Sequence, residues 1–226
     1  MEASESDRSI IRFCQPYTMT SPERLWATIS ATKYVIKKNI PGDFVECGVW
    51  RGGNSMAMAL TLKSLDVIDR KLFLYDTFSG MTTPSHQDKD MMGVLAKDLL
   101  NNADKFNGNN VWAFASVKDV DNNMRGLNYP EENIRLIKGD VEITLKDESI
   151  IPRSIALLRL DTDWYASTKI ELEVLFPRLA IGGVCIIDDY GHWQGARSAV
   201  DEYLEENNLF PLLCVTDYTG RLFIKS

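Results

Sequence analysis

The sequence predicts an α/β domain in which helices cover both faces of a mostly parallel β-sheet and the C-terminal strand runs antiparallel. Five apolar runs alternate with helix-like segments, which is the pattern of successive strand–helix–strand units. Two more apolar runs flank Tyr218-Thr219-Gly220, and this spacing indicates a terminal hairpin. Such sheets bind their ligands at the carboxyl ends of the strands, so polar residues at those ends are candidate site residues.

The individual elements follow from short apolar runs and from helix-start signals. A helix is expected from Ser21 to about Asn39, because a serine can cap it and Pro22 suits its first turn. Further helices are expected at residues 54–65 and from about Gln194 onward. The seven strands are expected at residues 44–49, 72–76, 134–137, 155–160, 184–187, 212–216 and 222–225.

Composition and charge restrict the class of protein. The chain has 226 residues, of which 45% are hydrophobic and 25% charged, and this suits one domain with one large core. Its net charge is −7 and it has no cluster of Lys and Arg, so nucleic acid is not an expected partner. With neither a signal-peptide pattern nor an apolar stretch of roughly 18 residues, no membrane partner is expected, and the expected compartment is the cytoplasm. None of the four cysteines forms a C-x-x-C pair, and Cys47 and Cys185 are predicted to be buried thiols.

The chain is predicted to be one domain over residues 1–226, with two additions to the alternating core. The N-terminal extension, at about residues 1–40, is expected to be helical. Residues 79–132 form an insertion rich in Asn, Asp, Lys and Met, with helices expected near residues 88–106 and 117–125. Because an insertion of this length is more often functional than idle, we expect a lid or a wall of the substrate site.

A glycine-rich turn follows the first strand, at residues 46–55. Glycines between a strand and a helix let a ligand approach the backbone closely, although they also suit any tight turn. The turn lacks the G-x-G-x-x-G pattern and the chain has no G-K-[ST] motif, which disfavours a dinucleotide site and a Walker-type nucleotide site. Asp76 ends the second strand, where a carboxylate can bind a ribose diol. Asp140, or the backbone of Val141, follows the third strand and could meet an adenine edge.

Four aspartates follow the fourth and fifth strands: Asp161, Asp163, Asp188 and Asp189. Adjacent parallel strands would bring them to one rim of the sheet, where each would raise the pKa of the others unless a cation were present. A hard divalent ion such as Mg²⁺ prefers oxygen ligands, and three of the four suffice. Asp161 can bind the metal while Asp163 reaches toward a substrate. The alternative is a set of solvated acids that cap helices, and His192 could contact metal or substrate or cap the next helix.

These motifs resemble the macrocin O-methyltransferase family. The resemblance lies in residues 21–26, 44–53, 158–165 and 182–193, and it extends from about Tyr17 to the C-terminus. It implies a Rossmann-like class I methyltransferase fold and an S-adenosylmethionine- and Mg²⁺-dependent O-methyltransferase acting on sugar or phenol hydroxyls of natural products. Trp50 stands where many class I methyltransferases have a second glycine. The segment before Tyr17 is shorter than expected for the antibiotic enzymes, which leaves the acceptor and a homodimer open.

The resemblance also implies roles for individual residues. Asp161, Asp188 and Asp189 would hold the metal, and Asp163 would be the general base. In the cofactor site, Glu46 and Gly48 would contact the methionine part and Asp76 the ribose. The remaining implied cofactor residues are Asp140 and Val141 at the adenine, Met19, Thr20 and Ser55, and Asp161, which would border the cofactor as well as the metal.

The expected reaction is an in-line transfer of methyl from sulfonium to a hydroxyl oxygen of a small molecule, with Asp163 taking the proton. A catechol-type O-methyltransferase and a non-catalytic nucleoside-binding module are the alternatives. A nicotinamide-dependent oxidoreductase is disfavoured by the missing G-x-G-x-x-G turn. A metal-dependent hydrolase would leave Asp76 and the glycine-rich turn unexplained.

Overall fold

A seven-stranded sheet forms the centre of the computed structural model, which describes residues 2–226. Its strands are β1 Asp43–Cys47, β2 Leu72–Asp76, β3 Ile134–Lys138, β4 Ile155–Leu160, β5 Leu179–Ile187, β6 Cys214–Val215 and β7 Arg221–Ile224. The order across the sheet is β3-β2-β1-β4-β5-β7-β6. Strands β1 to β5 are parallel, and β7 runs antiparallel to both β5 and β6. The predicted α/β fold class, seven strands and antiparallel C-terminal strand are confirmed.

Helices cover both faces of the sheet, and each face has its own apolar core. The helices are α1 Glu5–Cys14, α2 Pro22–Lys37, α3 Gly53–Ser64, α4 Ala96–Asn101, α5 Val117–Arg125, α6 Val141–Thr144, α7 Tyr165–Leu175 and α8 Gln194–Glu206. In β4, Leu157 packs into the core shared with α2 and α3, whereas Leu158 packs into the core shared with α7 and α8. This alternation is the period of two expected for a strand buried on both faces. None of the helices formed by residues 2–226 is long and apolar enough to cross a membrane.

The order of the strands reverses between β1 and β4, which lie side by side in the middle of the sheet. The amide of Asp161 donates to the carbonyl of Cys47 at 2.8 Å, and the amide of Asp188 donates to the carbonyl of Leu160 at 2.9 Å. The carboxyl ends of β1, β4 and β5 are therefore level, and the residues that follow them share one edge. Such a reversal is where open α/β sheets bind their ligands.

Most helix starts agree with the sequence prediction. The Ser21 hydroxyl accepts the amide of Arg24 at 3.2 Å and Pro22 lies in the first turn, so α2 begins where its capping signal predicts. Helices α3, α5 and α8 begin within one residue of their expected starts. In the extension, α1 precedes α2 and begins with a capping box between Ser4 and Asp7.

The long helix predicted near residues 88–106 is wrong, because only Ala96–Asn101 is helical there. The Asp90 carboxylate accepts the amides of Met92 and Val94, and Gly93 has a φ of +86°. Local bonds of this kind compete with helix formation. Strand β5 is longer than predicted, because it begins at Leu179 and includes Gly182-Gly183 ahead of the predicted start at residue 184, and β6 is shorter than predicted.

The insertion packs onto the loops that follow β4 and β5. Trp164 and Trp193 stack edge to face with ring centroids 4.9 Å apart, and they form a small core with Ala96 and Leu100 of the insertion. The buried Asp88 carboxylate accepts the amide of Tyr165 at 2.8 Å, at the start of α7. The insertion is therefore anchored beside the strand ends that carry the four aspartates.

Candidate active site

The glycine-rich turn between β1 and α3 brings two backbone segments unusually close together. Gly48 has a φ of +80°, and a Cβ atom at this position would lie 1.8 Å from the carbonyl oxygen of Asp161. Gly52 also has a positive φ, of +94°, immediately before α3. Only glycine combines this conformation with such a close approach. Glycine is therefore required at Gly48, which lies in the lining of the cavity described below.

Asp76 fixes this turn to the end of β2. Its carboxylate accepts the amides of Val49 at 2.7 Å, Trp50 at 3.0 Å and Phe78 at 2.7 Å. Desolvation raises the pKa of Asp76, and the three backbone donors counteract that rise. The carboxylate thus holds the turn in place, and it also lines the cavity above it.

The first of two adjoining cavities, called here the cofactor cavity, opens at the carboxyl ends of β1, β2 and β4. Its lining includes six of the residues expected to bind the cofactor: Met19, Gly48, Asp76, Asp140, Val141 and Asp161. The Asp140 side chain also accepts the amide of Glu142 and thereby caps α6. The structure therefore brings residues from five separate parts of the chain to one cavity.

The second cavity, called here the outer cavity, has a volume of about 580 Å³ and adjoins the first. The insertion contributes Leu99, Asn102 and Val111 to its wall, and its expected role as a lid or a wall of the substrate site remains a prediction. Its other lining residues include Thr20, Glu46, Asp188, Asp189, His192, Trp193 and Tyr218. Asp161 and Asp163 line both cavities, and so lie where the two meet.

The hydroxyls of two expected cofactor residues, Ser55 and Thr20, have hydrogen-bond partners within the protein. Ser55 is fully buried, and its hydroxyl donates a hydrogen bond to the Glu46 carboxylate. It lines neither cavity, so any effect of Ser55 on a ligand passes through Glu46. The hydroxyl of Thr20 lies 3.0 Å from that of Thr18, within a buried network.

Arg159 is a site residue that the sequence pattern did not reveal. It lies within β4, its side chain is only 1% exposed, and its guanidinium donates to three carboxylates. These partners are Glu46 at 2.7 Å, Asp161 at 2.7 Å and Asp188 at 2.5 Å. Burial alone would lower the pKa of Arg159, but its three partners raise it well above its usual value. The single signal for this role was a charged residue inside an apolar strand.

A second cation enters the site from α2. The Arg24 guanidinium contacts Asp188, and its Nε donates to Asp217 at 2.9 Å. Ser21 also donates to Asp217, at 2.7 Å. The first turn of α2 is thereby linked to the end of β5 and to the turn between β6 and β7.

The tightest acidic group consists of Asp161, Asp163 and Asp189, which offer carboxylate oxygens within 4.8 Å of one another. Desolvation raises the pKa of Asp163 to about 7, and the carboxylates of Asp161 and Asp188 act in the same direction. Desolvation and Asp163 also raise the pKa of Asp189. Negative charge is thus concentrated beyond what the two arginines neutralise, and the group can take up a proton or a hard cation.

Asp188 has a different environment from the other three aspartates. Its two carboxylate oxygens accept from Arg159 and from Arg24, respectively. The family-implied role of Asp188 as a third metal ligand remains a prediction, and it would require Asp188 to exchange Arg24 for the ion.

His192 lines the outer cavity, where its Nδ1 lies 3.4 Å from the Tyr218 hydroxyl. Among residues 2–226 no side chain caps α8, so the alternative of His192 as a helix cap is wrong.

Proteins of known structure share this architecture. The O-methyltransferase NovP aligns with 93% of this chain and 82% of its own, with a TM-score of 0.80 and 30% sequence identity. The calicheamicin methyltransferase CalS11 aligns with 99% of this chain and 94% of its own, with a TM-score of 0.66 and 16% identity. The strand order and the NovP alignment define the class: a protein with the Rossmann-like class I methyltransferase fold.

The model of the macrocin O-methyltransferase (TylF) family matches residues 5–225. The chain belongs to this family and is an S-adenosylmethionine-dependent O-methyltransferase, which confirms the resemblance and removes the oxidoreductase, hydrolase and non-catalytic alternatives. Demethyldecarbamoylnovobiocin O-methyltransferase of Streptomyces niveus is 33% identical over 204 residues, which are 90% of this chain and 74% of the relative. Mycinamicin III 3''-O-methyltransferase of Micromonospora griseorubida is 29% identical over 204 residues, with 90% and 76% covered.

Replacing Arg159 with methionine should lower the free energy of unfolding by about 3–5 kcal/mol, because three carboxylates would lose a buried partner. The measurement is urea-induced unfolding at neutral pH. The control is Arg178→Met, which breaks the surface ion pair with Glu148 and should cost under about 1 kcal/mol. Equal stability of wild type and Arg159→Met would show that the buried network does not hold the strand ends together.

Proposed function

We propose that this enzyme transfers the methyl group of S-adenosylmethionine to a sugar hydroxyl of a glycosylated natural product, with a divalent cation at the carboxylate cluster. The observation that carries the proposal is the place of Asp161 and Asp163, which line both the cofactor cavity and the outer cavity. A base and a cation site at this junction would lie between a methyl donor and an acceptor. The names of the relatives favour such acceptors, because they include a mycinamicin and a rhamnosyl-tetracenomycin methyltransferase.

S-adenosylmethionine would occupy the cofactor cavity. Asp76 would accept hydrogen bonds from the ribose hydroxyls through the acceptor capacity that its three backbone donors leave free. Asp140 and Val141 would flank the adenine, since they line the same cavity one strand further along the sheet. The methionine part would lie toward Gly48 and Glu46, near the junction with the outer cavity. Met19 would cover this region from above.

The acceptor would occupy the outer cavity. Its wall combines aromatic rings, as in Trp193 and Tyr218, with the amides of Asn102 and Asn110. Flat apolar surfaces with a few amide groups suit a ring that carries hydroxyls. The volume of about 580 Å³ accommodates a sugar with part of its aglycone.

The chemistry of the donor set fits a hard divalent cation. Five carboxyl groups share the site with two guanidiniums, and Asp161 and Asp189 lie in its tightest acidic group. Mg²⁺ is commonly held by one or two carboxylates, with water and substrate oxygens completing its coordination. Asp161 and Asp189 would hold the ion, and Asp188 becomes a third ligand if it exchanges Arg24 for it. When bound, the ion would lower the pKa of an acceptor hydroxyl.

The bonds and the proton of the transfer step are accounted for by the two substrates and one base. The acceptor oxygen attacks the methyl carbon of the sulfonium, the carbon–sulfur bond breaks, and its electron pair stays on sulfur. Asp163 takes the hydroxyl proton, so an ether and S-adenosylhomocysteine are formed. Most of the acceleration would come from the orientation of oxygen, carbon and sulfur that the two adjoining cavities impose.

Replacing Asp76 with alanine should weaken S-adenosylhomocysteine binding about 10- to 100-fold, the loss expected for charge-assisted hydrogen bonds to the ribose. Calorimetry with Mg²⁺, and again with a chelator, measures this loss. Glu173→Ala removes an exposed carboxylate on α7 and should leave the affinity unchanged. An Asp76→Ala protein with the wild-type affinity would contradict the ribose assignment.

Asp163→Asn should reduce turnover by a factor of about 10²–10⁴, because the base is lost, while S-adenosylhomocysteine affinity stays near the wild-type value. Asparagine tolerates the φ of +67° at this position, so the backbone should be preserved. Methyl gain on demethyldecarbamoylnovobiocin and mycinamicin III, followed by mass spectrometry, gives the assay. The base assignment fails if the variant turns over an accepted substrate at the wild-type rate.

A further inference from the structure

Residues 17–21, called here the strap, cross the mouth of the site between α1 and α2. The Met19 side chain lines both cavities and is 42% exposed. The two threonines beside it, Thr18 and Thr20, are buried. The strap thus places one apolar side chain at the junction of the cavities, whereas its two threonines lie at the wall of the outer cavity with their hydroxyls hydrogen-bonded to each other.

Asn54, near the start of α3, holds the polar side of the strap. Its Nδ2 donates to the hydroxyls of Thr18 and Thr20, each at 3.3 Å. Its Oδ1 accepts the hydroxyl of Thr28 at 2.9 Å. Asn54 is only 2% exposed, and both hydrogens of its amide are used by the strap.

Two further contacts hold the strap close to the start of α3. A Cβ atom on Gly53 would lie 2.6 Å from the Cβ of Thr18 and 2.7 Å from the carbonyl oxygen of Tyr17. The Gln15 side chain donates to the carbonyl of Thr20 at 2.9 Å. The strap therefore rests directly on the helix start that follows the glycine-rich turn.

We infer that Asn54 is a positioning residue for the cofactor: it sets the register of the strap and so holds Met19 over the sulfur end of S-adenosylmethionine. Buried polar groups fix one arrangement when every member is satisfied, whereas apolar packing alone tolerates a shift of register. The inference rests on the proposed cofactor site. It requires neither the cation nor the identity of the acceptor.

The test measures binding of S-adenosylhomocysteine and of adenosine by calorimetry. Asn54→Ala should weaken S-adenosylhomocysteine about tenfold, the effect of about one lost hydrogen-bonded contact, and should leave adenosine affinity unchanged. Thr20→Val should act in the same direction, and the double variant should be no weaker than Asn54→Ala, because both changes release the same strap. Thr32→Val is the matched control, since it removes a buried hydroxyl that donates to the carbonyl of Thr28 within α2.

Each outcome decides the inference. The inference is overturned if Asn54→Ala loses affinity equally for S-adenosylhomocysteine and adenosine, because Asn54 would then have a structural role only. It is also overturned if Asn54→Ala binds S-adenosylhomocysteine with the wild-type affinity. If Asn54→Ala does not fold, Thr20→Val and Gly53→Ala, which would push the strap away, take its place with the same expected selectivity. A wild-type protein that binds no S-adenosylhomocysteine would instead refute the proposed cofactor site.

Discussion

The buried guanidinium of Arg159 is the interaction on which the rest of the site depends. It joins the ends of three neighbouring strands, because its partners are Glu46 near the end of β1, Asp161 directly after β4 and Asp188 directly after β5. Without a central cation, these carboxylates would repel one another in a region of low dielectric. The same group therefore lets the fold keep its acids together and fixes the junction between the cofactor cavity and the outer cavity. Cofactor and acceptor chemistry would share one electrostatic centre.

This arrangement changes what a metal ion would have to do. Four aspartates at one rim suggest that a divalent cation is needed to keep them together, yet Arg159 and Arg24 already neutralise part of their charge. The excess remains in the group of Asp161, Asp163 and Asp189, whose pKa values are all raised, chiefly by desolvation. A bound cation would thus act on the acceptor and on this local charge. Because Arg24 also holds Asp217, movement of Arg24 would be felt in the turn between β6 and β7.

Much of the fold could be predicted because its signals are local and periodic. The strands are apolar runs, and α2 starts at the cap that Ser21 and Pro22 provide. The meeting of four aspartates followed from the adjacency of parallel strands. Arg159 was missed because sequence spacing cannot show that a charged residue in an apolar strand has three carboxylate partners, two of which belong to neighbouring strands. The helix near residues 88–106 failed because the side-chain bonds of Asp90 outweigh helix propensity.

The spacing of residues in the sequence could not predict the direction in which each aspartate side chain points. Asp188 and Asp189 are adjacent, yet Asp188 faces two arginines and Asp189 faces Asp163.

The most direct test of a site organised around Arg159 is a crystal structure with S-adenosylhomocysteine and Mn²⁺, in which anomalous scattering locates the ion. We expect the ion at Asp161 and Asp189, with Arg159 still bridging its three carboxylates and the nucleoside beside Asp76. An ion elsewhere, or Arg159 released from its carboxylates, would contradict the organisation of the site around a buried guanidinium.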